Sequence, residues 1–339
     1  MLRERLSVQL LNGPPARSVA QVAERLLAIQ AQDPRGARLA VRARTSGLSA
    51  ADVDHALTDE RSLVISWLNR GTLHLVCSED LPWLHTLTTP QLFSANARRL
   101  AQEGLSPADA ERGVAVIDRA IAADGPQTRE ALRERIAAAG IRTEGQALVH
   151  LLMRATLQGL IVRGPMLDGR HAYVLVRDWL PRAPAIDRDR ALAELARRFL
   201  AGHGPADDRD LARWAGITLR DARSGLAAIS GALVQREDGL VDLAGRGPAP
   251  ELPPPRLLGA FDALLMGWTS REPVLGRHGH IVTSNGIFRA FALVGGRAAA
   301  TWSLRGAAVE LTPLRRLTRA ERTALDADAA DVTRFLGLS

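Results

Sequence analysis

Apolar positions recur at helical spacing in three early stretches, Arg3 to Leu11, Ser18 to Gln30 and Ser49 to Leu57. The second opens at Ser18 with Gln21 three residues later, a capping-box spacing. Strict alternation then takes over. Ser62 to Leu68 and Thr72 to Val76 read as two strands joined through Asn69-Arg70-Gly71. Three helices followed by a hairpin are the element order of a winged helix, which the pattern places over residues 1–90.

The order recurs twice. Residues 91–181 read as a helical linker and a second winged helix, with helices over Thr128 to Ala139 and Glu144 to Gln158. Leu148, Leu151, Leu152 and Ala155 share one face of the latter, and His150, Arg154 and Gln158 line a polar stripe. Strands over Leu160 to Arg163 and His171 to Val176 flank the turn Leu167-Asp168-Gly169-Arg170. A third copy fills 186–247, with helices over Arg190 to Leu200 and Asp208 to Ala215 and another capped by Thr218. Its hairpin runs from Ala232 to Arg236 and from Leu240 to Leu243. Prolines and glycines then stiffen a connector over 245–256. The remainder, 256–339, reads as β-rich, with strands over Leu257 to Trp268, Gly279 to Val282, Ile287 to Val294 and Ala298 to Trp302, and a closing helix from Arg319 to Phe335. The expected fold class is α+β, mostly α, built from tandem winged helices with a β-rich C-terminal segment.

Composition narrows the partners. The net charge is +7, and every basic side chain other than histidine is arginine. A positive sum on tandem winged helices favours duplex DNA, since a winged helix lays one helix in a groove and its wing over the backbone. The missing lysine itself reflects the arginine-rich bias of a GC-rich genome, but it removes any lysine Schiff base and the lyase chemistry that depends on one. The acidic stretches Asp207-Asp208 and Asp326 to Asp331 are not expected to face DNA. No apolar run approaches the length of a membrane span, and Met1-Leu2-Arg3-Glu4-Arg5 lacks a signal-peptide core, so a cytoplasmic, nucleoid-associated location is expected. With Cys77 as the single cysteine, a disulfide framework and a multi-cysteine zinc site are both excluded.

Conventional catalytic sets are missing. No glycine-rich phosphate loop follows a strand and no His-Glu-x-x-His occurs, while His278-Gly279-His280 lacks carboxylate or cysteine help as a metal site. No metal or cofactor is expected. What stands out is Ile29-Gln30-Ala31-Gln32-Asp33-Pro34, two carboxamides flanking one residue at a helix end. Carboxamides do not titrate, so they hold a water or a ligand at any pH without acting as a base. The same residues also suit a structural role beneath a helix end. On the first hairpin, alternation puts Thr72 and His74 on one face, beside Arg70 at the turn.

Together these residues carry a resemblance. Leu27-Ala28-Ile29-Gln30-Ala31-Gln32-Asp33-Pro34, the segment from Trp67 to Val76 containing Arg70-Gly71-Thr72-Leu73-His74, and Phe261-Asp262-Ala263-Leu264-Leu265 resemble the AlkZ/YcaQ family of winged-helix DNA glycosylases. The resemblance runs over nearly the whole chain. It implies tandem winged helices in a C shape around the duplex, no cofactor, a monomer, and removal of N7-alkylated purines, including crosslinks or bulky adducts of alkylating antibiotics. The family's catalytic motif is Gln-x-Gln in the AlkZ branch and Gln-x-Asp in the YcaQ branch, and Gln30-Ala31-Gln32 matches the former. Asp33 stands one position too late for the latter.

The resemblance therefore implies a monofunctional glycosylase of N7-alkylguanine, serving DNA repair or antibiotic self-resistance. Gln30 and Gln32 would hold the attacking water and the deoxyribose, with Arg70, Thr72 and His74 supporting the exposed nucleotide. A C-terminal hairpin near the lesion would correspond to Arg271 to Ser284, presenting Arg271, Arg277, His278 and His280 to DNA. Phe261 and Asp262 fit a structural role as well. The rival from another class is a non-catalytic DNA-binding regulator, and a third reading is an interaction module without DNA.

Overall fold

The computed structural model describes residues 1–181 and 186–338. Its α-helices are α1 (Leu2–Val8), α2 (Val19–Leu26), α3 (Pro34–Arg42), α4 (Ala50–Thr58), α5 (Leu81–Thr88), α6 (Phe93–Gln102), α7 (Pro107–Asp124), α8 (Arg129–Ala138), α9 (Ala147–Leu157), α10 (Val176–Trp179), α11 (Arg188–His203), α12 (Asp208–Ala215), α13 (Leu219–Ala228), α14 (Glu272–Leu275) and α15 (Arg319–Phe335). The strands are β1 (Ile29–Gln30), β2 (Leu63–Leu68), β3 (Thr72–Cys77), β4 (Gln127–Thr128), β5 (Ile161–Leu167), β6 (Arg170–Leu175), β7 (Leu233–Gln235), β8 (Val241–Leu243), β9 (Arg256–Leu258), β10 (Phe291–Val294), β11 (Arg297–Arg305) and β12 (Ala308–Pro313). The fold is α+β. Among the described residues, no helix is long and apolar enough to cross a membrane.

Contacts gather the chain into two compact units, Met1–Val53 with Arg188–Ser339, and Asp54–Asp187. The segments read from sequence cut across them. Residues 54–90 group with 91–181, whereas 1–53 group with the third and fourth segments. Ser339, the last residue of the fourth, lies outside the described residues.

In the Asp54–Asp187 unit the hairpins β2–β3 and β5–β6 share one sheet. β2 pairs with β3 from Leu63↔Cys77 to Leu68↔Thr72, β5 with β6 from Ile161↔Leu175 to Leu167↔Arg170, and β2 meets β5 at Ile65↔Arg163. Arg163 fixes that junction, its guanidinium 5.2 Å from the Trp67 ring and 5.3 Å from the Tyr173 ring while Nε donates to Tyr173 Oη at 3.1 Å. The polar stripe on α9 turns toward α7 rather than outward. Glu111 accepts from Arg154 Nη2 at 2.8 Å and from Gln158 Nε2 at 3.0 Å. Those hydrogen bonds, Gln158's first, hold the Glu111 carboxyl below its ordinary range.

In the other unit α11 packs on α2 and α13. A Cβ on Gly202 would sit 2.1 Å from Arg25 O, so only glycine permits α11 that close to the end of α2. His203, fully buried one residue on, stacks on Phe199 at 5.1 Å between centroids and lies 5.1 Å from Trp214. The four-stranded sheet runs β12-β11-β10-β9, and α15 lays Leu325 and Val332 into a core with Leu257, Ala292, Ala300 and Trp302.

Two arginines knit this unit together. Arg44 is fully buried: Nη1 donates to Asp262 Oδ2 at 2.9 Å and Nη2 to Asp262 Oδ1 at 2.8 Å, while Nε and Nη2 also reach Gln9 O and Oε1 and Nη1 reaches Ala40 O. Arg42 donates to Leu257 O at 2.8 Å, Asp328 Oδ2 at 2.9 Å and Asp331 Oδ2 at 2.8 Å. Asp328 and Asp331 of α15 are thus paired within the protein, and Asp208 takes Arg223 Nε at 2.7 Å.

Several expected elements differ, each for a local reason. The long strand expected from Leu257 to Trp268 stops at Leu258, because Phe261 adopts φ +57° and Asp262 caps a 3₁₀ turn over Ala263–Leu265. Gly279–Ile281 is a 3₁₀ turn instead of a strand. The helix expected to reach Gln30 ends at Leu26, where Leu27 takes φ +62° and breaks the ladder. Helix α3 and strand β12 were not among the expected elements. Removing one partner of a buried ion pair strands a charge, so Asp262→Ala should lose about 3–5 kcal/mol of stability. Urea unfolding measures it; a loss below about 1 kcal/mol would contradict this role.

Candidate functional site

The early end of α2 gives the glutamines their setting. Ala28 N returns to Leu26 O at 2.7 Å, and the chain then runs extended through Ile29 and Gln30 before Asp33 starts α3. Asp33 Oδ1 accepts from Arg35 N at 2.9 Å and Gly36 N at 3.1 Å, with Pro34 in the first turn. Asp33 is therefore a helix cap. Gln30 and Gln32 sit on neither helix but on the taut segment between them.

That segment has fixed ends. A Cβ on Gly36 would lie 2.3 Å from Ala260 O, so α3 presses backbone to backbone on the Gly259–Ala260 stretch. At its other end α3 is held through Arg42 and Arg44. Gln30 is 6 % exposed, and its Oε1 is buried without a hydrogen-bond partner among the described residues. A buried acceptor left open is costly, about 1–3 kcal/mol, and is a place where a small polar ligand gains. Gln32, two residues on, is exposed. One carboxamide faces the interior and the other faces solvent.

The hairpin residues lie in the other unit. Asn69, Arg70 and Gly71 turn tightly, with φ +35° at Asn69 and +77° at Gly71. Arg70 is exposed at the tip and Thr72 is half-buried with Oγ1 unpartnered among the described residues. His74 is buried, at 2 % exposure, and its Nδ1–H donates to Thr72 O at 3.0 Å. Burial first, and then the nearby Arg70 charge, lower its pKa to about 3. His74 is consequently a neutral imidazole, so any support it gives a nucleotide is by hydrogen bonding and packing and not by charge. Cross-strand pairing with Ser66 places both side chains on one face. Ser66 Oγ and both amide atoms of Asn69 are buried and unpartnered among the described residues. Sequence reasoning missed this polar group. An asparagine followed by Arg-Gly in a strand-to-strand turn was the available signal for a left-handed residue.

The C-terminal segment divides. Arg277 and His280 are exposed and His278 is half-buried, its ring 5.9 Å from His280 and nearly perpendicular to it. Among the described residues, no group of three or more His, Cys, Asp or Glu side chains could hold a metal ion. Arg271 points inward: Nε donates to Leu265 O at 2.8 Å and the guanidinium lies 4.9 Å from the Phe288 ring centroid. Burial, and next Arg213, push its pKa down. The structure thus gives Arg271 an internal role in place of the DNA-facing one expected. Val282 and Phe288 bridge a short loop whose tip exposes Asn285 and Ile287.

Comparison with known proteins adds to this geometry. A family model described as DNA glycosylase AlkZ-like matches residues 23–335. A relative named interstrand DNA cross-link repair glycosylase, from Streptomyces sahachiroi, is 25 % identical over 365 residues, covering 99 % of this chain and 95 % of its own length. The solved structure of Streptomyces sahachiroi DNA glycosylase AlkZ shares the fold, with a TM-score of 0.76 at 22 % identity over 100 % of this chain and 96 % of that one.

Burial makes one pH dependence readable. His74 and His203 are both lowered from 6.5 to about 3 by burial. Between those values the unfolded chain binds more protons than the folded one, so stability is full above about pH 6.5 and falls as pH drops toward 3. Urea unfolding across that range should show His74→Gln flattening the slope by up to about 1.4 kcal/mol per pH unit. An unchanged slope would mean that His74 is not held neutral.

Proposed function

The chain belongs to the AlkZ-like family of DNA glycosylases, and on that premise we propose that it hydrolyses the N-glycosidic bond of N7-alkylated guanine, bulky adducts and interstrand crosslinks included. The name of the Streptomyces sahachiroi relative, an interstrand cross-link repair glycosylase, supports the crosslink part of this reading. The observation that carries the site is the Gln30-Ala31-Gln32 segment, stretched between two helices with the Gln30 acceptor buried and open.

Alkylation at N7 makes the guanine a cationic leaving group. As the C1′–N9 bond breaks, its electron pair neutralises the departing base, so no strong general acid is required. The sugar is left oxocarbenium-like, and the oxygen of one water must bond to C1′. Gln30, sheltered and non-titrating, accepts a hydrogen bond from that water and points its lone pair at the sugar. Gln32, exposed, contacts the deoxyribose. Both carboxamide oxygens also turn the negative ends of their dipoles toward the developing positive charge. The proton lost from the water passes to solvent, since an amide is no base.

Duplex is gripped by the helix-and-hairpin units acting as tandem winged helices, with Arg70 and Thr72 at one wing and Arg277, His278 and His280 on the C-terminal loop as contacts. His74 and Arg271 act from inside, stiffening the wing and the loop. A role in self-resistance to an alkylating natural product follows if the adduct excised is that product's own.

Gln30→Ala and Gln32→Ala should each lower single-turnover release of 7-methylguanine from duplex about 100-fold, through loss of positioning. Release that survives both substitutions together would place the chemistry elsewhere. Duplex binding without any release would remove the N7-alkylguanine reading.

A further inference from the structure

Beside α3 lies a cleft of about 490 Å³ that no role above uses. Its walls are the start of α3 and the strands β11 and β12, and it contains Arg35, Arg289, Thr301, Ser303 and Thr312. Many arginines among the described residues are committed to carboxylates or carbonyls. Arg35 and Arg289 are not: both are exposed, and among the described residues neither side chain has a hydrogen-bond or ion-pair partner. The one carboxylate in the cleft, Asp33, is turned to capping α3. Two free guanidinium forks with three hydroxyls form a donor set for a phosphodiester, which has acceptors and charge but no donors.

Position ties the cleft to the reaction. Arg35 follows Gln32 by three residues, each spanning at most about 3.5 Å, so its backbone lies within about 10 Å of that of Gln32. We propose that this cleft grips a backbone phosphate of the damaged strand one or two nucleotides from the lesion, through Arg35 and Arg289. It rests on the reading that Gln30 and Gln32 mark the lesion. Phosphate contacts set register without reading sequence, and here the grip anchors the strand while the nucleotide is drawn toward the glutamines.

The test uses the full-length protein and needs no base release. Binding of unmodified duplex is measured by anisotropy against salt for wild type, Arg35→Ala, Arg289→Ala and the double variant. Each lost phosphate contact should reduce the slope of log K against log salt by about 0.9. Single neutral methylphosphonates are then walked along a 7-methylguanine duplex. Wild type should lose about 5- to 20-fold in affinity at one phosphate near the lesion, and the double variant should lose almost nothing there. Unfolding midpoints of the variants should match wild type, because both side chains are exposed. An unchanged salt slope, or a methylphosphonate penalty that persists in the double variant, overturns the grip, whether or not base release occurs. Weakened lesion binding with an unchanged slope also overturns it and assigns the arginines to the adduct.

Discussion

The ion pair between Arg44 and Asp262 is the constraint on which the Gln30-Ala31-Gln32 segment depends. Both side chains are fully buried, and the arginine's remaining donors are taken by Gln9 and Ala40. Gln9 in turn donates to Gly202 O at 2.7 Å. A charge pair removed from water is tolerated when nearly every hydrogen-bonding position is filled, and this one is. Through it, residues distant in sequence hold the C-terminal end of α3. At the other end Gly36 meets Ala260 O, and Asp33 caps the helix. With α3 fixed at both ends and α2 stopped at Leu27, the six residues between have little freedom.

Rigidity of that kind is what the proposed role of Gln30 and Gln32 requires, since neither side chain ionises. A carboxamide contributes by position alone, and position is worth several kcal/mol only when the group cannot drift. The neutral surroundings follow the same logic. His74 is kept uncharged by burial, and Asp328 and Asp331 of α15 are paired with Arg42 and Arg334. The described parts leave their positive charge for DNA on exposed arginines instead of in the interior.

Much of this was legible in the sequence where local rules decide. The closing helix from Arg319 to Phe335 and helix α12 appear with the bounds their periodicity suggested, since both are capped, amphipathic and uninterrupted. The hairpin turn at Asn69-Arg70-Gly71 and the family membership were readable from motif residues. Helix α3 was not, because it is short and three of its nine residues are arginines, of which Arg38 and Arg42 are buried, though Asp-Pro at its start was a capping signal. The strand expected over 257–268 failed for a tertiary reason: an ion pair to a residue 218 positions away overrides its apolar run. Packing likewise turns Arg271 onto the Leu265 carbonyl. Whether a polar side chain faces DNA or a partner within the fold depends on packing that alternation and periodicity do not carry.

The central claim is that the glutamines hold one water for attack on the sugar. It is tested most directly by excising 7-methylguanine in aqueous methanol and analysing the sugar product. A held water predicts that wild type gives the hydrolysed sugar almost free of methyl glycoside, and that Gln30→Ala with Gln32→Ala raises methyl glycoside toward the solvent ratio. Methyl glycoside formed by wild type at the solvent ratio, with both anomers present, would show that no water is held and contradict the claim.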